Sequence, residues 1–180
     1  MYTPDSCVFL LVDVQKKLTP YVANSDDLIK NCAILLKAAQ ILKIPILWLE
    51  QYPKGLGKTV EPLQEILTGS TDPVEKIAFS GCFEDECKHR LFELNRKHCV
   101  VMGIEAHVCV YQTVMDLIDY GKTVQVVHDA VSSRASLNKE ISLQRMQQRG
   151  ALITTVEMIL FELLRGSKHE HFKAIQALIK

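Results

Sequence analysis

Uninterrupted apolar runs alternate along this chain with segments of helical periodicity, and this alternation restricts the fold more than any other feature. CVFLLVDVQ is a continuous apolar run closed by a carboxylate, which is typical of a strand that is covered on both faces. The segments IPILWLE, HCVVMGI and KTVQVVHDA are also predicted to be strands. Between them, segments such as SDDLIKNCAILLKAAQILK and HVCVYQTVMDLIDYG repeat apolar residues at helical spacing. The alternation predicts an α/β fold of three layers, α/β/α, with a mostly parallel, Rossmann-like sheet of about six strands.

The 180 residues contain no low-complexity linker, internal repeat or long charge block that would mark a domain boundary. We therefore predict a single domain spanning residues 1–180, which is enough chain to bury roughly 70% of its unfolded surface. The 21 basic and 21 acidic residues give a formal net charge of zero, so no overall field attracts nucleic acid or an anionic membrane. We expect a small-molecule substrate, with no nucleic-acid partner and no membrane partner.

The N-terminal segment lacks the features of a signal peptide, and no apolar run approaches the ~20 residues that a bilayer span requires. We expect a soluble, cytoplasmic protein, and a mitochondrial location stays open. The six cysteines lie mostly within apolar patterns and are expected to be free thiols. Cys82, Cys87 and His89 have a spacing that fits no common zinc finger, so we predict neither a metal site nor a cofactor.

Several polar side chains and one thiol stand where predicted strands end. In open α/β sheets, ligands bind beyond the carboxyl ends of the strands. The sequence therefore predicts a functional site at one rim of the sheet. The residues at these strand ends are Asp13, Glu50, Gln51, Glu105, Cys109 and Asp129.

Cys109 falls in the first turn of the helix that follows HCVVMGI. Free backbone N–H groups and the helix dipole favour an anion there, which predicts a thiol that ionises easily. A buried cysteine packed between Val108 and Val110 is the alternative. His107 is not expected to be its base, because residues two apart on a helix face nearly opposite sides.

Asp13 is the better candidate for a partner of the thiol. A carboxylate at the end of a buried strand is costly unless it is paired or functional. Lys76 lies in the apolar stretch VEKIAFS and can supply the compensating charge, although the pattern also fits an ordinary surface lysine.

Four segments in this order resemble the isochorismatase-like hydrolases, the superfamily that includes nicotinamidase and N-carbamoylsarcosine amidohydrolase: LLVDVQ, EQYPKGLGKTV, EKIAFS and GIEAHVCVYQT. The chain looks most similar to the isochorismatase-domain-containing proteins of unassigned substrate. The resemblance implies a triad of Asp13, Lys76 and Cys109. In such enzymes the carboxylate takes the thiol proton, the ammonium balances charge, and the thiolate attacks a carbonyl to form a covalent thioester-type intermediate.

The resemblance also implies a cis peptide bond between Ile104 and Glu105, in the turn before the thiol. The backbone N–H groups of Glu105 and Cys109 would then form an oxyanion hole. Gly103 would relieve crowding before the turn. The Glu105 side chain itself would be only an exposed cap.

The chain departs from the family pattern in three places. Nicotinamidases carry an Asp-x-His metal motif after the second strand, where this chain has WLEQYPKG. Enzymes that hydrolyse isochorismate generally lack the nucleophilic cysteine. Cys82 stands where the family often has a phenylalanine, which leaves the substrate open. The candidates for the pocket wall are Gln51, Tyr52, Trp48, Phe79 and Tyr111, any of which also fits the core, Trp48 most of all.

These observations favour a cysteine hydrolase that acts on the C–N bond of a small amide-like substrate. Two alternatives stay open. One is a non-catalytic binding or scaffold module on the same fold, and the other is isochorismatase-type hydrolysis that uses Asp13 without Cys109. The apolar run MILFELLRG beside a second amphipathic segment, together with the resemblance, predicts a homo-oligomer, either a dimer or a tetramer.

Overall fold

The computed structural model describes residues 2–180, and its centre is a six-stranded sheet with helices on both faces. The strand order is β3-β2-β1-β4-β5-β6, and every pair of neighbours is parallel. The predicted α/β/α fold class is confirmed, and the sheet is parallel throughout. The strands are β1 (Cys7–Val12), β2 (Ile46–Gln51), β3 (Val74–Lys76), β4 (His98–Ile104), β5 (Thr123–Ser132) and β6 (Leu152–Thr154).

Eight α-helices connect or follow the strands in the described chain. Helices α1, α3, α7 and α8 contribute to the core on one face of the sheet, and α4, α5 and α6 contribute to the core on the other. The last predicted amphipathic segment is α-helical only in its second half. The helices are α1 (Ser25–Ile41), α2 (Pro53–Leu56), α3 (Glu61–Leu67), α4 (Asp85–Glu93), α5 (Tyr111–Asp119), α6 (Ser136–Gln148), α7 (Val156–Leu164) and α8 (Phe172–Leu178).

The uninterrupted apolar runs follow from burial on both faces of the sheet. In β1 all six residues are buried, and alternate side chains enter opposite cores. Phe9 and Leu11 pack with α1, whereas Val8 and Leu10 pack on the opposite side. Such a strand needs apolar side chains at every position, which is why it shows no polar alternation.

The strand order reverses at β1 and β4, which are neighbours in the middle of the sheet. The chain leaves β1 toward one edge and returns through α4 to β4, so the loops after these two strands diverge. Gly103 makes the contact between them possible: its φ is +126°, and a Cβ there would overlap the Val12 carbonyl oxygen. This glycine is therefore required by the approach of β1, in addition to the turn that follows.

Among residues 2–180, no helix is both long enough and apolar enough to cross a bilayer.

Candidate active site

A buried ion pair lies at the carboxyl rim of the sheet. Asp13 follows β1 in a left-handed conformation, with φ of 52°, and Lys76 is the last residue of β3. Lys76 Nζ lies 2.7 Å from Asp13 Oδ2, and both side chains have 0% exposure. The ammonium also donates to Gln51 Oε1 at 2.6 Å and to the carbonyl oxygens of Phe79 at 3.0 Å and Ala78 at 3.3 Å. Lys76 is thus fully coordinated inside the protein, and its interpretation as a surface lysine is wrong.

Cys109 lies beside this pair. It belongs to a π-helical turn, Ala106–Val110, between β4 and α5, and only 7% of the residue is exposed. Its Sγ is 4.0 Å from Gln51 Oε1, the same oxygen that accepts from Lys76 Nζ, and both Asp13 and Lys76 influence its pKa. Burial raises the pKa of the thiol to about 12, and the negative charge of Asp13 adds to the rise while Lys76 opposes it. The expectation of an easily ionised thiol is therefore wrong, because burial and Asp13 outweigh the helix start.

Only one of the two Asp13 carboxyl oxygens accepts a hydrogen bond from the protein. Burial raises its pKa, and the charge and hydrogen bond of Lys76 oppose that rise. Oδ2 accepts from Lys76, whereas Oδ1 has no hydrogen-bond partner within residues 2–180. A buried carboxylate oxygen without a donor, next to a protonated thiol, is chemically suited to accept the thiol proton.

Two glutamine side chains hold the pair in place. Gln15 Nε2 donates to the Gln51 carbonyl oxygen at 2.9 Å and to that of Gly57 at 2.6 Å, and its Oε1 accepts from the Gln51 backbone N–H at 2.8 Å. Gln51 in turn donates from Nε2 to the Ile77 carbonyl oxygen at 2.6 Å. Gln51, expected as pocket wall, therefore lies within the buried network. Sequence reasoning missed Gln15, although it ends the LLVDVQ segment.

The turn before Cys109 is held by charge. The Ile104–Glu105 peptide bond is cis, where the resemblance implied it. The Glu105 carboxylate accepts from the Arg134 guanidinium through Nη2 at 2.6 Å and Nε at 3.0 Å, and from the Arg134 backbone N–H at 3.0 Å. Glu105 is buried and paired, so its interpretation as an exposed cap is wrong. The His107 ring bonds to Ser133 through Nδ1 at 3.0 Å.

The other pocket-wall candidates lie in three different places. Tyr52 and Phe79 are half exposed and adjoin the ion pair, since the Tyr52 N–H donates to the Lys76 carbonyl oxygen and the Phe79 carbonyl oxygen accepts from Lys76 Nζ. Trp48 instead belongs to the core beneath α1, with Nε1 donating to Thr59 Oγ1 at 2.7 Å. The Arg145 guanidinium carbon lies 4.8 Å from the centroid of the Tyr111 ring. Both residues line a cavity that does not include Asp13, Lys76 or Cys109.

Two of the strand-end carboxylates have structural partners. Asp129 lies within β5, which continues to Ser132, and its Oδ1 accepts from the Val156 N–H at 2.9 Å. Glu50 accepts from the Thr59 N–H at 2.6 Å. These two carboxylates thus anchor α7 and the loop after β2, so they are not shown to join the ion pair.

Residues 2–180 contain no group of three or more His, Cys, Asp or Glu side chains arranged to hold a metal ion. In the WLEQYPKG segment, the carboxylate of Glu50 and the amide of Gln51 are both engaged by the protein itself. The residues there do not fit the metal of the nicotinamidases. Cys82, which stands where the family often has a phenylalanine, is buried, whereas the next residue, Phe83, is 74% exposed and leaves its aromatic ring outside the core.

Comparison with known proteins decides the family, because residues 7–158 match the isochorismatase domain. The chain belongs to the isochorismatase family. Isochorismatase family protein 1A of Dictyostelium discoideum is 36% identical over 176 residues, which are 96% of this chain and 85% of that protein.

Two solved structures share the fold. The MAR1 ribonuclease of Caenorhabditis elegans is 39% identical, with a TM-score of 0.94 over 99% of this chain and 91% of that one. The YcaC gene product of Escherichia coli, an octameric hydrolase of unknown specificity, is 20% identical, with a TM-score of 0.89 over 99% of this chain and 94% of that one. At 20% identity the second structure supports the fold alone. Membership of the isochorismatase family supports a hydrolase in general.

Proposed function

We propose that this chain is a cysteine hydrolase that cleaves the C–N bond of a small amide-like substrate through Cys109, Asp13 and Lys76. The observation that carries the proposal is the buried Lys76–Asp13 pair with a thiol beside it and one carboxylate oxygen, Oδ1, without a hydrogen-bond donor. A structural ion pair alone would not require an adjacent thiol or leave an acceptor unused.

In the first half of the reaction, the Cys109 sulfur attacks the substrate carbonyl carbon while its proton passes to Asp13 Oδ1. Negative charge develops on the carbonyl oxygen, and the backbone N–H groups of Glu105 and Cys109 are proposed to stabilise it. The C–N bond then breaks, Asp13 gives the proton to the leaving nitrogen, and a thioester remains on Cys109.

In the second half, water replaces the departed amine. Asp13 takes a proton from the water as its oxygen attacks the thioester carbon. The C–S bond breaks, the sulfur recovers its proton from Asp13, and a carboxylic acid leaves. The sum is addition of one water across the C–N bond, and the protein ends as it began.

Lys76 does not bind substrate in this scheme. An ammonium has three N–H groups, and four acceptors already surround Nζ within 3.3 Å. Its role is to keep the site electrically neutral, both while Asp13 is ionised and while the proton rests on Asp13 and the sulfur is an anion. The substrate must be compact, because only 7% of Cys109 is exposed.

The test is ammonia release from a panel of small primary amides and ureides. Cys109→Ala is expected to abolish turnover with unchanged circular dichroism, because it removes the proposed nucleophile. Cys99→Ala, which removes another buried thiol from the core, is the matched control and keeps turnover. Turnover retained by Cys109→Ala would instead support isochorismatase-type hydrolysis by Asp13 alone. Absence of turnover in the wild-type protein across the panel would support the binding or scaffold module.

We also propose that the chain acts as a single domain and assembles as a homo-oligomer. The proposal of assembly rests on the apolar run MILFELLRG beside a second amphipathic segment, and the E. coli neighbour with the same fold is itself octameric. Sedimentation that shows only monomer at micromolar concentration would contradict it. A cytoplasmic location is proposed from the six free, buried cysteines. RNA is not proposed as substrate, because a formal net charge of zero gives no general attraction to a polyanion.

A further inference from the structure

The ion pair between Glu105 and Arg134 joins two loops that are 29 residues apart in sequence. Glu105 begins the turn that carries Cys109, and Arg134 lies in the loop between β5 and α6. The contact is two-pronged through the guanidinium and is completed by the Arg134 backbone N–H. Bidentate arginine–carboxylate contacts fix orientation as well as distance. The pair therefore fixes the Glu105 carboxylate and restrains the Glu105 backbone through its own side chain.

The loop that carries Arg134 is itself anchored to a third segment. The Ala23 N–H donates to the Ser133 carbonyl oxygen at 3.1 Å, and Ser132 Oγ donates to the Ala23 carbonyl oxygen at 2.6 Å. His107 adds a second link from the Cys109 turn to Ser133. Arg134 thus holds Glu105 from a loop that is itself hydrogen-bonded to Ala23.

The charge of Glu105 also matters to its surroundings. Burial acts to raise the pKa of its carboxyl, but the hydrogen bonds and charge of Arg134 hold that pKa below its ordinary value. Glu105 is consequently an anion at neutral pH, on the residue whose N–H is proposed to face a developing oxyanion. Without Arg134 its negative charge would oppose that oxyanion, since close like charges repel.

We propose that Arg134 is a positioning residue for the oxyanion hole, acting through Glu105 by fixing its peptide and neutralising its carboxylate. The inference rests on the proposed function, because it takes the Glu105 N–H as a donor to the reacting carbonyl oxygen. Arg134 touches no reacting atom and is not a catalytic residue.

Two alkylating reagents separate this role from general structural support. Acrylamide reacts by forming an S–C bond at its β-carbon while the C=C electron pair moves toward the carbonyl oxygen, which becomes an enolate oxygen. The thiol proton passes through Asp13 and ends on the α-carbon. Iodoacetamide forms an S–C bond as iodide leaves and the thiol proton is lost to solvent, and no charge develops on its carbonyl oxygen. Only acrylamide therefore requires the oxyanion hole.

The experiment measures both alkylation rates at Cys109 by peptide mass spectrometry. Loss of one oxyanion donor typically costs ~100-fold or more, so partial misplacement in Arg134→Ala is expected to slow acrylamide about 10-fold. The rate of alkylation by iodoacetamide should change less than about 2-fold in the same variant. Arg149→Ala breaks another exposed arginine–carboxylate pair, Arg149–Asp119 at 2.7 Å, and is the matched control that changes neither rate.

Adding Glu105→Gln to Arg134→Ala removes the unpaired charge and should recover part of the acrylamide rate. The proposal would be overturned if Arg134→Ala slowed the reactions with both reagents equally, or if it slowed neither reaction. The alkylation rates can be measured without any turnover of substrate. A wild-type protein that hydrolyses no amide would therefore contradict the proposed function, while the comparison of acrylamide with iodoacetamide could still be made.

Discussion

Replacing Lys76 by methionine tests whether Asp13 is buried as an anion. The side chain keeps its approximate length but loses the ammonium, so Asp13 Oδ2, Gln51 Oε1 and the Phe79 carbonyl oxygen lose this donor. Breaking one member of a buried pair typically costs about 3–5 kcal/mol of unfolding free energy. The free-energy cost of burying the unpaired Asp13 carboxylate is limited, because it cannot exceed the cost of protonating that carboxylate. For a carboxyl with an ordinary pKa near 4, protonation at pH 7 costs about 4 kcal/mol.

The stability of Lys76→Met should depend on pH, because the cost of protonating Asp13 falls as the pH is lowered. In Lys76→Met the folded-state pKa of Asp13 rises further, so the folded protein binds a proton that the unfolded chain does not. The stability linked to that proton is fully present below pH ~4 and is lost as pH rises through the folded-state pKa. The charge-related deficit of the variant is therefore expected to shrink from about 4 kcal/mol at pH 7 to about 1.5 kcal/mol at pH 5.

The assay is urea unfolding of the wild-type and variant proteins at pH 5, 6 and 7. Asp13→Asn combined with Lys76→Met removes both charges and should recover much of the loss, since a neutral pair carries no ionic desolvation cost. Lys88→Met breaks an exposed pair with Asp85 and is the control, with no change in midpoint expected. A deficit in Lys76→Met that is independent of pH would refute an ionised Asp13.

Two further predictions concern the glycine at the centre of the sheet and the protonation of the thiol. Gly103→Ala is expected to abolish soluble folded protein, because its Cβ would overlap the backbone of Val12, whereas Gly166→Ala, with open space around it, folds normally as judged by yield and circular dichroism. Alkylation of Cys109 by iodoacetamide is expected to increase about tenfold per pH unit from pH 7 to pH 10, because the thiol pKa is raised to about 12; a plateau below pH 8 would contradict this.

The central strands β1 and β4 were predictable because nearly all of their residues are buried, which requires apolar side chains on both faces. The environment of Lys76 was not, because β3 is only three residues long and its lysine is enclosed by a loop that folds back. The Ala78 and Phe79 carbonyl oxygens come from that loop, and Asp13 comes from a strand 63 residues away. No local pattern distinguishes this lysine from a surface one.

The error about the thiol can be expressed as a difference in free energy. A helix start favours an anion by about 0.3–1 kcal/mol, and by up to ~2 kcal/mol in partly buried geometry. A rise in thiol pKa from 9.0 to about 12 corresponds to about 4 kcal/mol in the opposite direction. The turn that carries Cys109 is also π-helical, so the α-helical N–H pattern assumed from sequence does not apply directly. The effect of burial on the thiol pKa is therefore larger than the opposite effect of the helix start.

A high thiol pKa is compatible with a nucleophilic sulfur, because the pKa and the reaction describe different proton transfers. Loss of the proton to solvent leaves the buried cluster of Asp13, Lys76 and Cys109 with a net charge of −1, and burial opposes this. Transfer of the same proton to Asp13 leaves the cluster neutral, so it avoids that cost. Slow alkylation of the resting thiol would therefore agree with a catalytic Cys109, provided that Asp13→Asn also slows its reaction with acrylamide. If acrylamide reacted equally fast without the Asp13 carboxylate, internal proton transfer would be wrong.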